Sequence, residues 1–360
     1  LNMQTRAVDD VVPADNFTVA RASRELPNRS RVGAIFVNRA ATGEGVPSAA
    51  DNQTVGADGK WGIGRYSSIE GYAAKTFTPG RSGRDHAFNI EAEHDSPSWV
   101  LSAGYREVGE DFNPTVGFLR RSDYRRPSGL VMYRYRPDDL WGLLELRPHV
   151  NYIGYWKPDG FHESGRLHVD NHFEWRSGWE LHTGINFTQE GVLEPFEIYP
   201  GVFVPTGSYD HTEAQIVGMT NQGAPLSLQV RLVAGGFFGG SRASTTTELR
   251  GRIGDAFNAY VDYQRNDVDL PTGDFVTNLL RMRFSYSFTT NMYVQALVQY
   301  NDVIDNWSTN LRFGWLQAAN SGFYIVYNEN RDPRPFDQGG VGLRGRSLII
   351  KYSHTFDLLN

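Results

Sequence analysis

Apolar and polar residues alternate over nine or more consecutive positions in many segments of this chain of 360 residues. Examples are LSLQVRLVA at 226–234, NMYVQALVQYN at 291–301 and WSTNLRFGW at 307–315. Because successive side chains of a strand point to opposite faces, each segment predicts a strand with one apolar face. Strands of soluble proteins have about 5 or 6 residues, whereas a tilted strand needs roughly 9–11 to cross a bilayer. The repeated length favours a transmembrane β-barrel over the alternative, a soluble all-β protein.

The segment 291–301 shows which environment each face would meet. A membrane barrel turns its polar face to the water of the lumen and its apolar face to lipid. We therefore predict that Gln295 and Gln299 face the lumen. The residues predicted to face lipid are Met292, Val294, Ala296, Val298 and Tyr300.

The composition excludes several other classes of protein. The mean hydropathy is -0.45, and no stretch approaches the roughly 18 apolar residues of a membrane-spanning helix. The formal net charge is -6 without a long basic run, so no nucleic-acid partner is expected. The chain has 0 Cys, which excludes disulfides, thiolate zinc sites and a cysteine nucleophile.

The connections between alternating segments are short and long by turns. Short ones include PNRS at 27–30, RSG at 176–178 and NQGA at 221–224. The longer ones, predicted to be external, include 41–51, 110–126, 191–210, 267–274 and 331–346. Short periplasmic turns and longer external loops are typical of outer-membrane barrels. We predict an all-β fold, an antiparallel transmembrane β-barrel of about 18–20 strands that covers 1–360 as a single domain.

The alternation of short and long connections also makes predictions for the two ends of the chain. The segment at 16–26 must run towards the periplasm, so an ascending strand has to precede it. LNMQT at 1–5 is the expected end of that strand, and SLIIKYSHTF at 347–356 is the expected closing strand. We therefore expect the chain to be the C-terminal part of a longer protein.

Large aromatic residues lie at the ends of the alternating segments. In membrane barrels, tryptophan and tyrosine form girdles at the two membrane interfaces. The residues predicted to lie in such girdles are Trp175, Trp179, Trp307 and Trp315.

Two stretches carry a resemblance to a known family. DFNPTVGFLRR at 111–121 with the following DYRR, and the opening LNMQTRAVDDVVPADNFTVAR followed by SRVGAIFVNR, resemble a bacterial outer-membrane family of unassigned activity. In that family, a domain similar to family-nine carbohydrate-binding modules precedes a C-terminal β-barrel. The resemblance implies that this chain corresponds to the barrel part and that saccharides are candidate solutes. It implies no catalytic residues.

The densest group of histidines lies on the two segments around the RSG turn. Equal parity across that turn sets His172 opposite His182 and Glu174 opposite Glu180, all on the polar face. One interpretation is a patch in the lumen that binds metal or responds to protons. The other, which we favour, is a solvated polar wall.

Arginines recur on the faces predicted to line the lumen. With carboxylates such as Glu174 and Glu180, they could shape a selective aqueous passage. Alternatively, these charges bond to one another or to an inserted plug and leave no passage. The candidate arginines are Arg231, Arg281, Arg283 and Arg312.

The long segment 110–126, EDFNPTVGFLRRSDYRR, is predicted to be an external loop that folds over the barrel mouth. Asn113 and Pro114 set a turn, and an apolar group in the loop should not remain in water. That group is Phe112, Val116, Phe118 and Leu119. Four arginines would then lie at the rim and pair with lumen carboxylates or lipopolysaccharide phosphates, unless they are merely solvated. These are Arg120, Arg121, Arg125 and Arg126.

The leading functional hypothesis is a bacterial outer-membrane barrel that gives passage to small polar solutes, with saccharides as candidates. One alternative is a plugged barrel that acts as an anchor or receptor for a periplasmic sugar-binding domain. A second alternative is a surface hydrolase, although no G-x-S-x-G motif is present. We predict no catalytic residue, cofactor or metal. The predicted partners are outer-membrane lipid, lipopolysaccharide and the solutes themselves.

Overall fold

The computed structural model describes residues 1–6, 14–42, 51–318, 321–331 and 343–354. These ranges contain 22 β-strands. None of the described residues belongs to a helix that is long and apolar enough to span a membrane. The chain divides into two compact units. The first comprises Leu1–Tyr135, Arg147–Val169 and Phe187–Val192, and the second comprises Arg136–Leu146, Asp170–Asn186 and Leu193–Asn360.

The first unit is built on eight consecutive antiparallel strands, each of which pairs with the next along the chain. They are β1 (Asn2–Gln4), β2 (Asp15–Leu26), β3 (Ser30–Ala41), β4 (Asn52–Ile63), β5 (Ser67–Phe77), β6 (His86–Asp95), β7 (Trp99–Val108) and β8 (Tyr124–Tyr133). The predicted strand at LNMQT is present as β1. Three further strands have residues in both units, namely β9 (Leu143–Trp156), β10 (His162–Trp175) and β11 (Glu180–Val192).

The second unit holds the remaining strands. They are β12 (Phe196–Tyr199), β13 (Val202–Val204), β14 (Gly207–Met219), β15 (Leu226–Phe237), β16 (Gly240–Ile253), β17 (Phe257–Leu270), β18 (Gly273–Thr289), β19 (Met292–Asn301), β20 (Asn306–Ala318), β21 (Ser321–Arg331) and β22 (Leu343–Ser353). From β14 to β22 each strand pairs antiparallel with the next. The strands β12 and β13 form a two-stranded sheet of their own. The other 20 described strands are members of one antiparallel sheet, as the sequence predicts.

Burial in the sheet is inverted relative to a soluble protein. Apolar side chains such as Val131 and Leu226 are more than half exposed, at 54% and 64%, whereas Asn186 and Asp262 are only 3% and 5% exposed. Polar residues are rarely buried in soluble proteins, and contiguous apolar surface is rarely exposed to water. The inversion fits a sheet whose apolar face lies against lipid.

The register of β19 confirms the predicted division of its two faces. Met292, Val294 and Ala296 lie opposite Trp315, Phe313 and Leu311 of β20, so the apolar face continues across both strands. On the other face, Gln295 lies opposite Arg312 and Gln299 opposite Ser308.

The four tryptophans predicted to form girdles lie at or near strand ends. Across the turn 176–178, the backbone N–H of Trp175 donates to the carbonyl oxygen of Trp179 at 2.9 Å. Trp179, Trp307 and Trp315 are exposed. Trp61, also exposed, lies three residues before a turn at 64–66 and extends the set beyond the predicted four. Indole rings in these positions are suited to a membrane interface.

Two of the predicted external connections contain regular structure instead. The predicted loop 267–274 is the tip of a long hairpin, because β17 continues to Leu270 and β18 begins at Gly273. The predicted connection 191–210 contains the β12–β13 hairpin, whose Val202 and Val204 are buried. Short apolar runs inside a loop give too few residues for a clear period, so the sequence did not reveal this hairpin.

Gly273 allows the β12–β13 hairpin to lie against the tip of the β17–β18 hairpin. Its φ is +146°, and a Cβ at this position would lie 3.0 Å from Cγ2 of Val202. Next to it, the hydroxyl of Thr272 donates to the carbonyl oxygen of Phe203 at 2.6 Å. The rings of Tyr199 and Phe275 stack with centroids 4.6 Å apart. The β12–β13 hairpin is thus fastened to the ends of β17 and β18.

Three predictions concern residues outside the described ranges. The predicted external loops at 41–51 and 331–346 lie mostly there, as does the end of the expected closing strand after His354. The described part of that strand, β22, pairs with β21 from Leu343 to Ser353.

Candidate functional site

The external loop between β7 and β8 is fastened by its backbone. This loop covers residues 109–123, so it ends three residues earlier than predicted, and Arg125 and Arg126 belong to β8. The side-chain amide of Asn52 donates to the carbonyl oxygen of Asn113 at 2.8 Å, and the N–H of Asn113 donates to Thr76 Oγ1 at 3.0 Å. Both Asn52 and Thr76 are buried. The loop therefore folds onto the ends of β4 and β5, as expected.

Only part of the predicted apolar group takes part in this packing. Phe112 is 8% exposed and packs with Ala87, Val108 and Tyr124, while Leu119 covers the edge of the cluster. Val116 is exposed, and Phe118 is 90% exposed. Sequence reasoning found the cluster but could not separate its inward from its outward members, because the loop has no period.

The four predicted arginines of the mouth have different surroundings. Arg121 forms an ion pair with Glu163, and its guanidinium lies 4.5 Å from the ring centroid of Tyr155. Arg126 lies 5.9 Å from the same ring. Arg125 Nε contacts Glu107 Oε2 at 3.3 Å. Arg120 is exposed and has no ion-pair partner among the described residues.

Glu190, near the external end of β11, shares this environment. Glu190 is half-buried. The negative charge of Glu163 and the positive charge of Arg121 both act on its carboxylate, in opposite directions. Arg121 is thus the cation that compensates two carboxylates beside the external loop.

Among the described residues, Arg121 forms an ion pair and its neighbour Arg120 does not, so substitutions of the two residues should have unequal effects. We expect Arg121→Ala to loosen the loop, because it removes the charge that faces Glu163 and Glu190. Arg120→Ala is the matched control and should leave the loop unchanged, because surface charges contribute little. The rate of proteolysis within the loop measures the effect. Equal behaviour of the two variants would contradict this assignment.

The predicted pairing of His172 with His182 is present. Their rings stack with centroids 3.5 Å apart and an interplanar angle of 11°. Nε2 of His172 lies 3.4 Å from Asp170 Oδ2, and Nε2 of His182 lies 3.1 Å from Glu180 Oε2. Each imidazole thus lies beside a carboxylate of its own strand, an arrangement that fits the interpretation of a solvated polar wall.

Asp170 is a member of this group that the sequence reasoning missed. It precedes His172 by two residues and therefore shares its face, which is the signal that could have found it. One of its carboxylate oxygens accepts the N–H of Thr183 at 2.8 Å. Glu174, on the same face two residues after His172, is half-buried.

The predicted lumen arginines lie on the polar face of the second unit. Arg281 forms an ion pair with Asp262 at 3.1 Å, and the guanidinium of Arg312 lies 4.9 Å from the ring centroid of Tyr324. Arg231 lies opposite Val217 and Thr246. Arg283 lies opposite Tyr260.

Further charged residues on this face were not predicted as a site. Glu213 is buried and forms an ion pair with Arg242, and Asp262 is the buried partner of Arg281. Which side chains face each other depends on the register between strands, which is not read from one segment alone. The predicted polar face is therefore present, with both signs of charge on it.

Comparisons with known proteins bear on the fold. No protein-family model matches the chain, and no curated protein matches it. Among solved structures, the chain is similar to a mutant of the ferric enterobactin receptor PfeA from Pseudomonas aeruginosa in complex with enterobactin. The TM-score is 0.53 at 8% sequence identity, over 92% of this chain and 67% of that one. The fold is that of an antiparallel transmembrane β-barrel.

Proposed function

We propose that the protein forms a passage for small polar solutes across the bacterial outer membrane. The observation that supports this most is the polar face of β14–β20, which carries ion pairs and amides while the opposite face exposes apolar side chains. Charged side chains next to hydrocarbon would be costly, so this face belongs next to water. A water-lined wall is what a passage for polar solutes requires.

Saccharides are the solutes that the sequence resemblance suggests. A polar wall with amide and guanidinium donors can exchange hydrogen bonds with sugar hydroxyls as they pass. The proposal includes contact of the apolar face with outer-membrane lipid. It also includes contact of exposed Arg120 with lipopolysaccharide phosphate, for which a guanidinium is well suited.

A receptor or anchor is the second candidate. It is favoured by the ordered external segments, namely the loop 109–123 and the β12–β13 hairpin, which are fastened by hydrogen bonds and buried apolar residues. The structurally similar PfeA is a receptor and was solved with a bound small molecule. Under this proposal the lumen is plugged, and the external segments bind the ligand.

We propose that neither role involves catalysis. The charged groups described above pair mainly with one another, and none forms a nucleophile with an adjacent base. The hydrolase alternative is tested by incubating the folded protein with ester and glycoside substrates. Cleavage that is lost on mutation of an external loop would support it and contradict the present proposal.

Liposome swelling distinguishes a passage from a plugged barrel. The folded protein, checked by heat-modifiable gel mobility, is reconstituted into liposomes and exposed to neutral sugars of increasing size. A passage should give swelling rates that fall steadily with solute size. Folded protein that supports no swelling with any sugar would overturn the passage and favour the receptor.

A further inference from the structure

A cavity of about 310 Å³ opens on the polar face where β16, β17 and β18 lie side by side. The strands bring three arginines and three uncharged polar residues to its wall. These are Arg250, Arg252, Asn258, Tyr260, Arg283 and Ser285. The volume is at the lower end of the roughly 300–1,000 Å³ of small-molecule sites. It therefore fits a solute of monosaccharide size.

Strand register explains why the arginines converge. Arg250, Tyr260 and Arg283 lie directly opposite one another on three successive strands. Arg252, Asn258 and Ser285 form the next row on the same face. Side chains in such rows lie about 5 Å apart across strands and about 7 Å apart along them. Three guanidinium groups can thus reach a single small solute.

The cavity has more positive than negative charge. Arg250 contacts Glu248 at 2.9 Å and lies 5.4 Å from the ring centroid of Tyr260. Arg252 donates to the carbonyl oxygens of Gly223 and Ala224, which are neutral groups. Within the described part of the chain, Arg283 has neither an ion pair nor a hydrogen bond.

The next carboxylate on this face of β17, that of Asp262, does not compensate this charge. Asp262, in the row beyond Tyr260, is only 5% exposed and is paired with Arg281. The three cavity arginines therefore face one carboxylate, that of Glu248, which leaves a surplus of two positive charges. Ser285 and Asn258 add uncharged donors on the same wall.

We propose that this cavity binds the oxyanion group, carboxylate or phosphate, of a small polar solute. Arg283 is the principal contact, because a planar guanidinium group can donate two parallel hydrogen bonds to two oxygens of a carboxylate or a phosphate. Arg250 lies on the other side of Tyr260. The inference rests on the proposed passage and narrows its solutes to those with an acidic group. It assigns a binding role to Arg283, an exposed residue that forms no ion pair or hydrogen bond with the described part of the chain.

Binding by the full chain in detergent tests the cavity directly, with glucuronate, glucose 6-phosphate and glucose as probes. We expect calorimetry to detect glucuronate or glucose 6-phosphate and not glucose. The tighter of the two anions identifies the group as carboxylate or phosphate. Arg283→Gln should weaken that binding about tenfold, the effect of losing one charge-assisted contact.

Arg265→Gln is the matched control. Arg265 lies on the opposite face of β17 and contacts Asp267 at 3.5 Å, so its loss changes the net charge equally without touching the cavity. Wild-type protein that binds neither anion, or equal weakening by Arg265→Gln and Arg283→Gln, would overturn the proposal. If Arg283→Gln loses heat-modifiable mobility, Asn258→Ala provides the second test and should also weaken anion binding.

Swelling of liposomes by neutral sugars tests the passage independently of the anion-binding cavity. Swelling by glucose with no anion binding would overturn the anion site and leave the passage standing. Anion binding without any swelling would overturn the passage and leave the cavity as a binding site of a plugged barrel.

Discussion

Replacing Val230 with arginine should destabilise the folded protein by about 2–4 kcal/mol, the cost of a cation facing lipid near the middle of the membrane. Val230 lies in the middle of β15, between Leu228 and Leu232 on the apolar face. Both neighbours are exposed, which fits contact with hydrocarbon. Urea titration of the protein folded into lipid vesicles measures the change in the free energy of unfolding.

Gln229→Arg is the matched control because it introduces the same side chain one position away on the opposite face. Gln229 lies opposite Glu248 on the polar face, so the new arginine gains a nearby carboxylate and should cost little. Similar losses of stability in both variants would contradict the assignment of one face to lipid and the other to water.

Phe112→Ala should release the external loop 109–123 from the strands beneath it. Removing a buried phenylalanine costs about 3–5 kcal/mol, which is more than the free energy of local unfolding expected for a surface loop. We expect faster proteolysis within the loop and faster amide hydrogen exchange of Asn113, whose N–H donates to Thr76. Mass spectrometry of the folded protein in detergent follows both changes.

Phe118→Ala removes the same ring from the same loop without removing a buried contact. Phe118 is 90% exposed, so its loss should change stability by no more than about 0.5 kcal/mol. Slow proteolysis in Phe112→Ala, or equally fast proteolysis in both variants, would be inconsistent with a loop held by Phe112.

The strands and their faces could be predicted because the signal is local. Alternation places Met292 and Gln295 on opposite faces whatever the neighbouring strands are, and the register of β19 agrees. The pairing of His172 with His182 was also accessible, because the short turn between their strands fixes which residues lie opposite. The length of the segments was enough to distinguish membrane strands from soluble ones.

The remaining features depend on contacts that one segment does not contain. Predicting the cavity beside Arg283 requires the register of three strands. Predicting the ion pair between Asp262 and Arg281 requires the register of two strands. In the external loop, Arg120 and Arg121 are adjacent in sequence, yet only Arg121 meets Glu163. The sequence gives no preference between them, because an irregular backbone decides which side chain turns inward.

The serial pairing of β14 to β22 also bears on how such a chain can change in length. Each strand contacts its predecessor and its successor, so a hairpin is a self-contained module with little cost of loop closure. Duplication of a whole hairpin preserves the direction of every later strand. Duplication of a single strand would reverse them all and exchange the membrane sides of the downstream connections. Growth of this architecture by gene duplication is therefore expected in steps of two strands.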